Sequence, residues 1–199
     1  YQNARFIILW RNPLAIASSI STSWGGGRWN LSAAHVALYD SLESLLQLAD
    51  RHGSRIHTLR YEDLVHSPEE QIGEIFEYLN VASEEEVIEN FSSVDLEGRM
   101  GDSVGTQRYQ SVSTDSVTKW KAWYCNPVRR AWGRRYLEWL GADRLSIMGY
   151  EKSDLLGELE QESGGTEFLT SDLFSIFKSY VHQRTYEAAR RLNRFLFFN

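Results

Sequence analysis

The stretch Ala4-Arg5-Phe6-Ile7-Ile8-Leu9-Trp10-Arg11-Asn12-Pro13-Leu14-Ala15-Ile16-Ala17-Ser18-Ser19 decides how the chain is read. Phe6–Trp10 is a short apolar run bounded by charge, the pattern of a fully buried strand inside a parallel sheet. Arg11 closes it. Asn12 stands where a helix would be capped, and Pro13 stands at the first turn, where a missing N–H does no harm. A strand therefore ends on a cation, and a helix begins beside it with its positive dipole end. That arrangement predicts an anion site. Ser19 follows two helical turns beyond the cap, on the same face as Asn12, whereas Ser18 is rotated by roughly 100°. Ser19 is thus the hydroxyl expected to join Arg11.

The rest of the chain repeats the unit. Ser21–Asn30, with Gly25-Gly26-Gly27 between Trp24 and Trp29, reads as a loop. It has no Gly-Lys-Ser/Thr after it and is not a P-loop. Apolar residues at helical spacing predict a long crossover helix from about Leu31 to Arg51, stopped by Gly53. Ile56–Leu59 reads as a second strand, followed by Arg60-Tyr61-Glu62-Asp63-Leu64. Ser67-Pro68-Glu69-Glu70 is a capping-box sequence opening another helix. Strand, helix, strand, helix predicts a right-handed parallel unit with its ligands at the carboxyl edge, where Tyr61 joins Arg11.

Four sequence features make this a resemblance to a family. Arg11-x-Pro13 after an apolar strand, with Ser19 eight residues beyond the arginine, resembles the 3′-phosphate-binding segment of the PAPS-dependent sulfotransferases. Leu59–Leu79 and Ser116–Trp123 are similar to two further family segments in the expected order, and Met148-Gly149-Tyr150 to the close of many such domains. The resemblance implies that Arg11 and Ser19 hold the 3′-phosphate of 3′-phosphoadenosine 5′-phosphosulfate (PAPS). It places Tyr61 by the nucleotide, and Lys119, with Arg108 second, in a basic loop over that phosphate. The Arg-Lys-Gly triplet of cytosolic animal enzymes is missing. The resemblance also puts the phosphosulfate loop and the catalytic base upstream of the matched segment. The chain, which begins at Tyr1, therefore reads as a fragment with no catalytic residue of its own.

Composition sets the remaining bounds. The chain has 199 residues, 42% of them hydrophobic, which suits a domain with a sizeable core. Its net charge of −6 argues against general nucleic-acid binding. A single cysteine, Cys125, precludes an internal disulfide and fits a reducing, cytoplasmic compartment. No apolar run reaches the ~18 residues of a transmembrane span. No Cys/His spacing of a metal site is present.

Further along, Ser83–Asp102 is acidic and predicts a short surface helix to about Phe91, and Gly98–Thr118 a long loop. Val128–Leu140 reads as an amphipathic helix stopped by Gly141, with Arg129, Arg130, Arg134 and Arg135 as a solvated basic face. Trp120 and Trp123 are expected to anchor it in the core. Residues 151–167 are acidic and Gly/Ser-rich and read as a linker. Ser171 or Asp172 then caps a last amphipathic helix with basic residues, suited to packing on this domain or forming a homo-oligomer, or to lying at a membrane interface.

The expected architecture is therefore an α/β fold, a three-layer α/β/α parallel sheet of the P-loop nucleotide-kinase kind, incomplete at the N-terminus. It divides into a sulfotransferase-like domain (1–150), a linker (151–167) and a C-terminal helix (168–199). The expected activity is sulfuryl transfer from PAPS to a hydroxyl or amine acceptor, without a metal. Two rivals stand beside it: a P-loop nucleotide or small-molecule kinase, and a non-catalytic sulfotransferase-like binding module.

Overall fold

Parallel pairing forces a long connection, because two parallel strands cannot be joined by a hairpin. The computed structural model, which describes residues 4–82, 114–161 and 164–181, shows that connection. Strand β1 (Phe6–Trp10) pairs in parallel with β2 (Ile56–Arg60), from Phe6 opposite Ile56 to Trp10 opposite Arg60. Helices α1 (Pro13–Gly25) and α2 (Ser41–His52) make the crossover. Asn12 is the cap of α1 as its sequence predicts, its Oδ1 accepting from the amides of Leu14 at 2.9 Å and Ala15 at 3.4 Å.

Two details of the crossover differ from expectation. Residues Ser21–Gly25 are helical, not loop. Their polar side chains turn inward or back: Ser21 is buried, and the Thr22 hydroxyl donates to the carbonyls of Ser18 and Ser19. The long helix predicted from Leu31 begins instead with turns and then widens into a π-helical segment at Val36–Asp40 before α2. There the Leu38 carbonyl accepts a hydrogen bond from the Tyr136 hydroxyl at 2.8 Å.

Beyond β2, the chain turns directly into α3 (Tyr61–His66) and then α4 (Pro68–Leu79). Ser67 precedes α4 as predicted, but its side chain makes no capping bond. Then come α5 (Asp115–Thr118), α6 (Trp120–Trp123), α7 (Pro127–Ile147), α8 (Lys152–Gln161) and a helix α9 over 169–181. The acidic helix expected at Ser83–Phe91, most of the following loop, Arg108 and residues 182–199 lie outside the described residues.

The core lies where α1, α2, α6 and α7 converge. Leu14, Ala17, Leu38, Leu46, Trp120, Trp123, Tyr124, Tyr136, Leu137 and Leu140 are all buried, so the two tryptophans anchor this region as expected. Tyr39, Trp132, Tyr136 and Trp139 stack or meet edge-on within 4.7–5.8 Å. The stretch read as an acidic linker contains α8, which buries Leu155 and Leu159 and packs on α7. Gly133 of α7 permits that approach: a Cβ there would lie 3.0 Å from Tyr124 and 3.1 Å from Leu159.

The structure corrects two expectations of burial. β1 is not buried on both faces: Ile8 and Trp10 point inward, while Phe6, Ile7 and Leu9 are exposed. Among the described residues the sheet has two strands, which is compatible with an α/β fold. The four arginines of α7 do not form one solvated face. Arg129 is 1% exposed and paired to Asp172, Arg130 donates to the Cys125 carbonyl at 2.6 Å, and Arg134 pairs with Glu160 at 2.6 Å. Asp172 is therefore a buried counter-ion, not a cap.

That pair ties α9 to α7. Arg129 Nε and Nη2 donate to Asp172 Oδ2 at 2.6 Å and Oδ1 at 3.0 Å, and its remaining donors reach the carbonyls of Trp123 and Gly27. Asn126 donates to Asp172 at 2.8 Å while capping α7. Asp172→Ala, which strands a buried guanidinium, should lower unfolding free energy by about 3–5 kcal/mol in urea titrations. An effect near that of a surface substitution would show that the pair does not hold α9. Gly141 interrupts α7 at φ 69°, ψ 173°, a conformation nearly restricted to glycine. Gly141→Ala should therefore cost about 1–3 kcal/mol in the same titration.

Candidate functional site at the strand ends

The strand register sets the site. Since Trp10 faces Arg60, the next residues, Arg11 and Tyr61, emerge side by side at the carboxyl edge. The Arg11 guanidinium lies over the Tyr61 ring, 4.5 Å from its centre. The Tyr61 hydroxyl pairs with Ser116 Oγ at 2.7 Å, and Arg11 Nη2 donates to the Ser116 carbonyl at 3.3 Å. Arg11 Nε is buried and has no hydrogen-bond partner. Among the described residues no carboxylate forms an ion pair with Arg11.

Arg60, one residue away, is the opposite case. It forks onto Asp63 with two bonds of 2.6 Å and donates to the Gly149 carbonyl at 3.1 Å. That hydrogen bond holds the Asp63 carboxyl below its usual range. The acid's contribution to stability is thus present above the ordinary carboxylate range and fades as pH falls through the lowered value.

Glu62 ties the corner together. Its Oε1 accepts from the Asn12 amide at 3.1 Å and its Oε2 accepts from the Tyr150 hydroxyl at 2.5 Å. Burial first, and then this hydrogen bond, push the Tyr150 phenol above its ordinary value, so it remains a donor. Glu62 and Asp63 both lie in α3, roughly 100° apart around it. With Asn12 N bonded to Glu62 and the next two amides bonded to the Asn12 side chain, the start of α1 offers an anion its dipole rather than free N–H groups. An anion at this corner would meet side chains rather than free amides.

Of the residues expected from the sequence, Arg11 and Tyr61 meet. Ser19 is half-buried in α1, and its hydroxyl makes no hydrogen bond among the described residues. Lys119 is 68% exposed and pairs with Asp115 at 3.1 Å on the neighbouring turn. Arg108 lies outside the described residues. The contacts of Ser116, Glu62 and Tyr150 with this corner were not anticipated. Ser116 and Tyr150 stand in segments that drew attention for other residues, and neither contact has a signal at any sequence spacing. Among the described residues no group of His, Cys, Asp and Glu could hold a metal ion.

A cationic corner at the carboxyl ends of two parallel strands is compatible with an α/β fold. The model of the sulfotransferase family matches residues 1–85, a span that includes Arg11, Ser19, Tyr61 and Glu62. This is consistent with a sulfotransferase-family protein and supports transferase function of the sulfotransferase type in general. Comparisons with curated proteins and with solved structures gave no match.

Removing the Glu62 carboxylate strands the Tyr150 O–H and the Asn12 N–H. Glu62→Ala should lower stability by about 1–3 kcal/mol, whereas Glu62→Gln, which retains an acceptor, should cost less. Equal melting temperatures for the two variants would show that the bridge does not matter.

Proposed function

We propose that the chain carries the 3′-phosphate-binding half of a PAPS-dependent sulfotransferase site. The observation that carries this reading is Arg11: a half-buried guanidinium stacked on Tyr61, with one buried N–H that has no partner among the described residues. A planar cation with donors to spare suits a phosphate, whose oxygens it can meet in pairs as a lysine cannot. Ser19, two turns along α1, adds a neutral donor from the same side of the helix as the cap. Tyr61 steers Arg11 and offers its edge and hydroxyl to the nucleoside. Lys119 and Arg108 remain candidates for a covering loop.

In the reaction the acceptor oxygen or nitrogen attacks sulfur. The sulfur–oxygen bond to the nucleotide phosphate breaks, and the acceptor proton passes to a base. Adenosine 3′,5′-bisphosphate leaves with the electron pair. The residues named here bind and orient the donor and stabilise the departing nucleotide by charge. The base and the phosphosulfate loop are assigned to no residue of this chain. In this reading β1 and β2 belong to a larger three-layer sheet, which the exposed Phe6, Ile7 and Leu9 support. A cytoplasmic setting, read from the lone free Cys125, belongs to the same reading.

Titration calorimetry with adenosine 3′,5′-bisphosphate tests it. Arg11→Ala should weaken binding by roughly 2–4 kcal/mol, and Arg11→Lys by less. Unchanged affinity in Arg11→Ala, with the fold intact by circular dichroism, would remove the assignment.

A further inference from the structure

Helix α9 is fastened to the molecule by its polar side. Asp172 is fully buried against Arg129, and the Ser179 hydroxyl pairs with that of Ser32 at 3.2 Å. Residues 172, 175, 176 and 179 thus form the inner stripe, as helical spacing requires. The outer stripe is Leu173, Phe174, Phe177, Tyr180 and Val181, all exposed, Phe174 to 68%. An amphipathic helix at a protein surface ordinarily turns its apolar face inward. Here the ion pair holds it the other way.

The start of α9 approaches a second element. Phe168, at the start of α9, lies against Gly27, whose carbonyl is bound by Arg129. Trp24, three residues before Gly27, is 84% exposed. An aromatic side chain in that position has the character of an interfacial anchor.

Charge names the occupant. Lys178 is exposed beside the stripe, and the sequence that follows holds Arg184, Arg190, Arg191 and Arg194 against one acid, Glu187. This concentration of cations occurs in a chain of net charge −6. Apolar side chains flanked by cations complement an anionic lipid surface, whereas pairing two copies along the stripe would bring like charges together. We propose that the outer face of α9 is a peripheral binding surface for anionic phospholipid bilayers. The helix lies on the bilayer: among the described residues no helix is long and apolar enough to cross one. The proposal does not depend on the nucleotide site.

The test is vesicle flotation of the full chain. Vesicles of phosphatidylcholine alone are compared with vesicles containing about a third phosphatidylserine, at low and high salt. Expected is binding to the anionic vesicles, at least about tenfold weaker to neutral ones, and weakening with salt. The double variant Phe174→Ser/Phe177→Ser should lose about tenfold or more of this binding. Because both side chains are exposed, its melting temperature should stay near that of the parent. Failure to float with anionic vesicles, undiminished flotation of the double variant, or a concentration-dependent dimer abolished by the same substitutions would overturn the proposal.

Discussion

The register of one parallel strand pair governs this protein's chemistry. With Trp10 opposite Arg60, the two following residues must leave the sheet at the same edge, about one strand spacing apart. Everything at the corner follows from that constraint. Arg11 rests on Tyr61, Ser116 reaches both, and Glu62 ties the corner after β2 to the amide that starts α1. A shift of register by one residue would turn β1 inside out and separate the pair.

Three arginines show how surroundings decide what a guanidinium does. Arg129 is buried with its donors spread over Asp172 and two carbonyls, so its charge is spent inside the molecule. Arg60 is held by Asp63 and by the Gly149 carbonyl at the rim of the same corner as Arg11. Among the described residues Arg11 alone of these three pairs with no acid, meeting a ring face and making one long bond to a carbonyl. Within the described residues, this edge of the sheet thus holds one arginine paired with an acid and another that is not. The family match over residues 1–85 falls on the part of the chain where that difference arises.

Polar anchoring has a second consequence at the other end of the chain. Because α9 is held through Asp172 and Ser179, its aromatic residues face outward, and the cost of leaving apolar area in water is not relieved within the described residues. The surface of the molecule thus has two distinct parts, a cationic corner built on backbone register and an apolar face built on a buried ion pair.

Local chemistry alone determined a good deal. The capped, proline-started helix after β1, the second strand, the arginine and tyrosine at the strand ends and the break at Gly141 are all written in residues that interact with close neighbours in sequence. Tertiary structure decided the rest, because those contacts join residues far apart in the chain. Nothing in the spacing of Arg129 and Asp172 marks them as buried partners, and an arginine in a run of arginines reads as solvated until an acid folds over it. Thr22 and Ser21 read as loop residues, yet they are helical, the Thr22 hydroxyl turning back onto the carbonyls of Ser18 and Ser19 while Ser21 is buried in the fold. The exposure of Phe6, Ile7 and Leu9 and the joining of Ser116 and Tyr150 to the corner depend on which surfaces meet. A one-dimensional pattern specifies which side chains share a face, but only packing settles what that face touches.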